Sequence, residues 1–172
     1  MGLKNKIEAT SGFTLIELMV VIGVVGIMVA VAVPNIIGFL PAYRLRSVTR
    51  DVVSCFQEAK MRSVKENANT AIMFSVVDDQ YTAWVDNGGS GGAGNLLPDT
   101  NVGEIIFNQM TLPRDIHFYG NAITMGYNSR GFPSTSTGTV YIKNEKSNYR
   151  KIIMSSAGNI RVQRSADGNS WE

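Results

Sequence analysis

Between Phe13 and Val33 the chain is apolar at nearly every position and carries one ionisable side chain, Glu17. As a helix, at about 1.5 Å per residue, this run reaches roughly 30 Å, the thickness of a bilayer's hydrocarbon core. Pro34, Gly38 and Pro41 follow and predict a kink or a short melted stretch rather than a stop. From Ala42 the period changes. Leu45, Val48, Val52, Cys55/Phe56, Ala59 and Ser63 recur at alternating spacings of three and four, which sets them on one face of a helix. Arg44, Arg46, Arg50, Glu58, Lys60, Arg62 and Lys65 occupy mostly the other face. The pattern predicts one long helix to about Asn67, ended by Asn67, Ala68 and Asn69.

Beyond residue 69 the helical period is lost. Residues 70–77 and 80–85 flank Asp78-Asp79 and read as a hairpin. Further short β-like runs cover 104–108, 115–119, 123–127, 139–143, 149–155 and 159–164, separated by turn material such as Ser129-Arg130-Gly131 and Ala157-Gly158-Asn159. Short strands at this spacing predict antiparallel sheets with the amphipathic helix covering one face. The expected fold class is therefore α+β. Its segments are a polar leader over residues 1–12, an apolar helical half over 13–34, an amphipathic half over 35–69 and a β domain over 70–172.

Composition adds less. Apolar residues make up 44% and charged residues 17% of the chain, ordinary for a globular domain carrying an apolar helix. The net charge of +2 is too small to argue for any partner. Cys55 is the only cysteine, so an intramolecular disulfide is excluded, and its place on the apolar face argues for packing rather than redox chemistry. The apolar run exceeds the core of a secretory signal peptide. Lys4 and Lys6 precede it, and the positive-inside rule sets them in the cytoplasm with the rest of the chain outside.

Glu17 needs a partner. A carboxylate inside a spanning helix costs about 2.5–3.5 kcal/mol even on lenient insertion scales, and no cation lies within the span. Either Lys4 or Lys6 reaches back to it, or a cut between Gly12 and Phe13 frees an α-amino group four residues away. In a helical assembly that amine can neutralise the Glu17 of a neighbour.

A short basic leader, Gly12, and Phe13-Thr14-Leu15-Ile16-Glu17 opening a long apolar helix resemble the class III signal of type IV pilins and type II secretion pseudopilins. The resemblance implies cleavage after Gly12 by a prepilin peptidase and N-methylation of Phe13. It also implies residence in the bacterial inner membrane before assembly, and packing with other pilin subunits through the helix, with Glu17 and Pro34 as assembly residues. Tyr127–Ile142 and Arg150–Val162 are similar to the closing strands of minor pseudopilins of the GspH/FimT type. Some FimT-like members bind DNA in natural transformation through a C-terminal Gly-Arg-x-Arg motif. Here Gly158 and Arg161 match that motif, while Asn159 stands where the first arginine would be.

No catalytic constellation emerges, so an enzyme is not expected, and neither is a cofactor. His117 is the only histidine, with no partners for a zinc site or a triad, and reads as a hydrogen-bonded structural residue. The glycine-rich run 86–95 lacks the Gly-Lys-Ser/Thr ending of a phosphate loop. Asp86, Asn87 and Asp99 could offer oxygens to calcium, but EF-hand spacing is absent, and the run reads as a connector with no metal. Charge is segregated instead. Residues 67–129 hold Arg114 against Asp78, Asp79, Asp86, Asp99, Glu104 and Asp115, whereas Arg130, Lys143, Lys146, Arg150, Lys151, Arg161 and Arg164 dominate residues 130–172. Arg150, Lys151, Arg161 and Arg164 fall on two adjacent strands, where several could form one cationic patch able to meet DNA phosphates, with Tyr149 adding a stacking surface. The bland reading of the same residues is a solvated basic edge that docks an acidic neighbour.

Overall fold

A computed structural model describes residues 12–86, 104–134 and 137–172. The leader up to residue 11 and most of the glycine-rich run, with Asn87 and Asp99, lie outside the described residues. Helix α1 spans Leu15–Lys65. Eight strands follow: β1 Asn69–Ser75, β2 Gln80–Asp86, β3 Ile105–Thr111, β4 Ile116–Tyr119, β5 Ile123–Tyr127, β6 Thr139–Asn144, β7 Tyr149–Met154 and β8 Ile160–Ser165. Each falls on one of the runs expected from alternation and turn chemistry.

The expected melted stretch is not formed: helical structure continues through Pro34, Gly38 and Pro41. A proline removes one intrahelical donor, and the turns on either side keep theirs. The helix ends as its sequence suggests. Asn67 takes a left-handed conformation (φ 49°), and the Ala68 amide donates to the Ser63 carbonyl at 3.2 Å, closing the last turn.

The chain divides into two compact units, one ending at Phe39 and one running Leu40–Glu172. The second unit has its own core. Its strands form two four-stranded antiparallel sheets, in the orders β3-β2-β1-β5 and β4-β6-β7-β8. Leu45, Val48, Val52, Cys55, Phe56 and Ala59 of α1 meet residues of both sheets in a single cluster that includes Phe74, Phe118, Ile142, Ile152 and Met154. These helical positions are the stripe read from the sequence, with Thr49 buried among them as well. Its hydroxyl donates to the Leu45 carbonyl at 2.6 Å and so leaves no polar group unsatisfied.

Polar contacts fix the helix to the sheets at several points. The Thr70 hydroxyl of β1 donates to the Ala59 carbonyl at 3.2 Å. Arg44 pairs with Asp115 at 3.0 Å, ahead of β4. The turn joining β7 to β8 is closed by Gly158 in a left-handed conformation (φ 74°), and its carbonyl accepts from the Tyr127 hydroxyl at 3.3 Å. Register then decides which side chains share a face. In β6, Val140 and Ile142 are buried, and in β7, Ile152 and Met154 are, so the even-numbered positions of these strands turn toward the core.

Candidate functional site

At the N-terminal end, Gly12 and Phe13 precede the helix, and Phe13 is 87% exposed. The Glu17 amide donates to the Thr14 hydroxyl at 3.3 Å, so Thr14 caps the first turn and Glu17 stands at the third helical position. The Thr-x-x-Glu spacing of a capping box is the local sequence signal for this cap. The Glu17 carboxylate is exposed and makes no ion pair among the described residues. Every apolar side chain from Leu15 to Phe39 is exposed as well. The helix is long and apolar enough to cross a membrane, with a mean hydropathy of 2.8 over its most apolar window. A monomer in water does not sustain an apolar surface of that extent.

The second region is cationic, and the sheet divides it. Arg150 of β7 stands directly opposite Arg164 of β8, and Ile152 opposite Val162, on the core-facing side. Lys151 opposite Gln163, and Ile153 opposite Arg161, lie on the outer side. The four cations of the two strands therefore do not form one patch. The pairing of β7 with β8 brings Arg150 to Arg164, while the period of two sends Lys151 and Arg161 to the other face.

On the inner side the partners come from the helix. Arg46 and Arg50, one helical turn apart, join Arg150 and Arg164 around a groove of about 460 Å³ whose apolar lining is Val53 and Val162. Burial, together with the charges of Arg46 and Arg164, lowers the Arg150 guanidinium from its ordinary value. Arg46 and Arg50 were legible as one polar helical stripe; that β7 and β8 would come up beside them was not.

The outer side is aromatic. Tyr119 packs against Tyr141 at 5.2 Å and edge-on against Tyr149 at 5.6 Å, and Trp171 reaches Tyr141 at 5.9 Å between ring centres. Lys151 lies 5.0 Å over the Trp171 ring and Lys143 lies 5.8 Å over Tyr119. Burial, reinforced by the neighbouring tyrosines, pushes the Tyr119 hydroxyl up to about 12.

His117 is held as a structural residue. Its Nδ1 lies 2.7 Å from Asp79 Oδ2, and because a carboxylate only accepts, Nδ1 is the donor. Asp79 Oδ1 also accepts the Phe118 amide at 2.9 Å. Asp79, read from sequence as a turn residue, thus ties the β1–β2 turn to β4 of the other sheet. Among the described residues no group of three His, Cys, Asp or Glu side chains could hold a metal ion.

A capped apolar helix that turns amphipathic and packs on two antiparallel sheets is a pilin-like fold. Residues 9–33 match the prokaryotic N-terminal methylation motif. The fold is similar to that of the type IV minor pilin FimU of Pseudomonas aeruginosa, with a TM-score of 0.54 at 12% identity over 78% of this chain and 96% of that one. It is similar also to the minor pseudopilin EpsH from the type 2 secretion system of Vibrio cholerae, with a TM-score of 0.51 at 13% identity over 69% of this chain and 95% of that one. No curated protein matches the chain in sequence. The chain thus carries the N-terminal methylation motif and shares its fold with a solved minor pilin and a solved minor pseudopilin.

Proposed function

We propose that this protein is a minor pilin or pseudopilin, a structural subunit that joins or primes a type IV pilus or a type II secretion pseudopilus. The observation that carries the reading is the methylation motif set on a capped helix whose apolar surface has no cover within the described chain. Prepilin peptidase would hydrolyse the Gly12–Phe13 bond, leaving Gly12 with the leader and a free amine on Phe13, which is then N-methylated. Both residues lie ahead of the first helical turn and are exposed. The helix dipole disfavours a cation at its own N-terminus and favours a carboxylate in the first turn, so the Phe13 amine is better placed against the Glu17 of a neighbour. Pro34, which removes one intrahelical hydrogen bond, is the point at which the helix can yield as subunits pack. Before assembly the span holds the subunit in the inner membrane, with Lys4 and Lys6 cytoplasmic and the β domain periplasmic.

The test is Glu17→Ala in the cell that makes the filament. The variant should be cleaved normally, yet its incorporation into sheared filaments should fall to a small fraction of wild type. Incorporation at the wild-type level would remove the pairing role from Glu17.

A second reading, DNA binding in uptake, is favoured by the outer face of the β4-β6-β7-β8 sheet, where Lys143 stands opposite Tyr149, Lys151 lies over Trp171 and Arg161 falls on the same face. Of the four cations on β7 and β8, this face offers Lys151 and Arg161, while Arg150 and Arg164 belong to the groove. If the reading holds, duplex affinity falls steeply with salt and is lost in Lys151→Gln/Arg161→Gln. Binding that is unaltered by this pair would refute it.

A further inference from the structure

We propose that the arginine groove between α1 and the β7–β8 pair docks an acidic segment of a neighbouring subunit, one that sets two or more carboxylates beside an apolar side chain. The inference rests on the reading of the protein as a filament subunit and adds the chemistry of one of its contacts. Its first ground is convergence. Arg46 and Arg50 arrive from successive turns of the helix and Arg150 and Arg164 from paired positions on the sheet, so the four guanidinium groups line one recess. A second recess of about 490 Å³ continues from it and shares Arg46, Arg150 and Arg164.

The second ground is unmet charge. Elsewhere on the helix the arginines are neutralised: Arg44 by Asp115 at 3.0 Å, and Arg62 by Glu58 at 3.0 Å and Glu66 at 3.2 Å. Among the described residues only Arg164 of the groove has a carboxylate partner, Glu172 at 3.5 Å, and both side chains are largely exposed. Asp167 borders the second recess, but its oxygens already accept from the Ser165 and Ser170 hydroxyls and from the Asn169 and Ser170 amides. Four like charges held in one groove repel one another, and a ligand carrying carboxylates relieves that cost with charge-assisted hydrogen bonds.

The third ground identifies the occupant. Val162 sits on the core-facing side of β8 yet remains 44% exposed, and with Val53 it gives the groove an apolar floor. A nucleic-acid backbone presents phosphates and no aliphatic side chain for that floor. A polypeptide supplies both kinds of group from adjacent residues, and arginine beside apolar surface is the composition of protein interfaces.

The test uses the full chain in detergent micelles and a fluorescently labelled Glu-Glu-Leu repeat peptide, followed by anisotropy, with empty micelles as the blank. Arg46→Gln/Arg50→Gln removes two charges from the groove at exposed helical positions. Lys151→Gln/Arg161→Gln removes the same charge from the outer face. The groove pair should weaken peptide binding about tenfold, the effect of losing two partly screened ion pairs, while the outer pair leaves it within about twofold. Val162→Glu, which places a carboxylate in the groove without touching the helix, should also abolish the interaction. Equal losses in both charge variants, no loss in either, or duplex DNA binding that depends on Arg46 and Arg50 would each overturn the proposal. The titration uses unassembled protein, so it can fail while Glu17-dependent incorporation succeeds, and the reverse.

Discussion

Cys55 and Tyr127 show how far single groups are governed by burial. Desolvation, with the nearby Glu58 charge adding to it, pushes the Cys55 thiol up from 9.0 to about 12, and burial takes the Tyr127 hydroxyl from 10.0 to about 12. In the unfolded chain both groups ionise from their ordinary values, while the folded protein keeps their protons to higher pH. The stability they contribute is therefore complete below about pH 9 and is lost as pH climbs toward 12. The unfolding midpoint of the full chain in micelles should fall across that interval, and a thiol-alkylating reagent at about pH 8 should label Cys55 only on unfolding. Prompt labelling of the folded protein would place the thiol outside the core. The buried place of Cys55 was legible because the helical period of its neighbours is strong. The partner of His117 was not, because Asp79 lies in the β1–β2 turn and His117 on a strand of the other sheet, and no local pattern links them.

Among the elements, β5 is the most constrained by close approach. It lies beside β1, and a Cβ on Gly126 would overlap the Thr70 backbone carbonyl. A flexible side chain could yield there; a strand's backbone cannot move without disturbing its pairing with β2. Gly126→Ala should cost about 1–3 kcal/mol, the usual penalty for overpacking, and lower the unfolding midpoint by several degrees. An unchanged midpoint would mean that β1 and β5 can separate freely. The strand boundaries were largely readable from alternation and turn residues, and so was the helix end at Asn67. The melted stretch expected near Pro34 and Pro41 was not found, since the loss of single hydrogen bonds does not outweigh the intact turns around them.

At the scale of the molecule, the two units make opposite demands on their surroundings. Residues 40–172 bury their own core, whereas the helix ahead of residue 40 exposes apolar side chains along its whole length. The full chain should remain in the membrane pellet through high-salt washing and be released by detergent. Recovery in the salt wash would mean that another surface, and not lipid, covers the helix. The sequence by itself determined the apolar span, the lone carboxylate in its first turn, the amphipathic stripe and the succession of strands, because each depends on residues near one another along the chain. Only the tertiary structure decided that Arg150 and Arg164 face the helix while Lys151 and Arg161 face away, and that Arg46 and Arg50 complete the groove. Helix docking joins Arg46 and Arg50 to residues about a hundred positions further along the chain, and a one-residue change in the β7–β8 register would exchange the two faces.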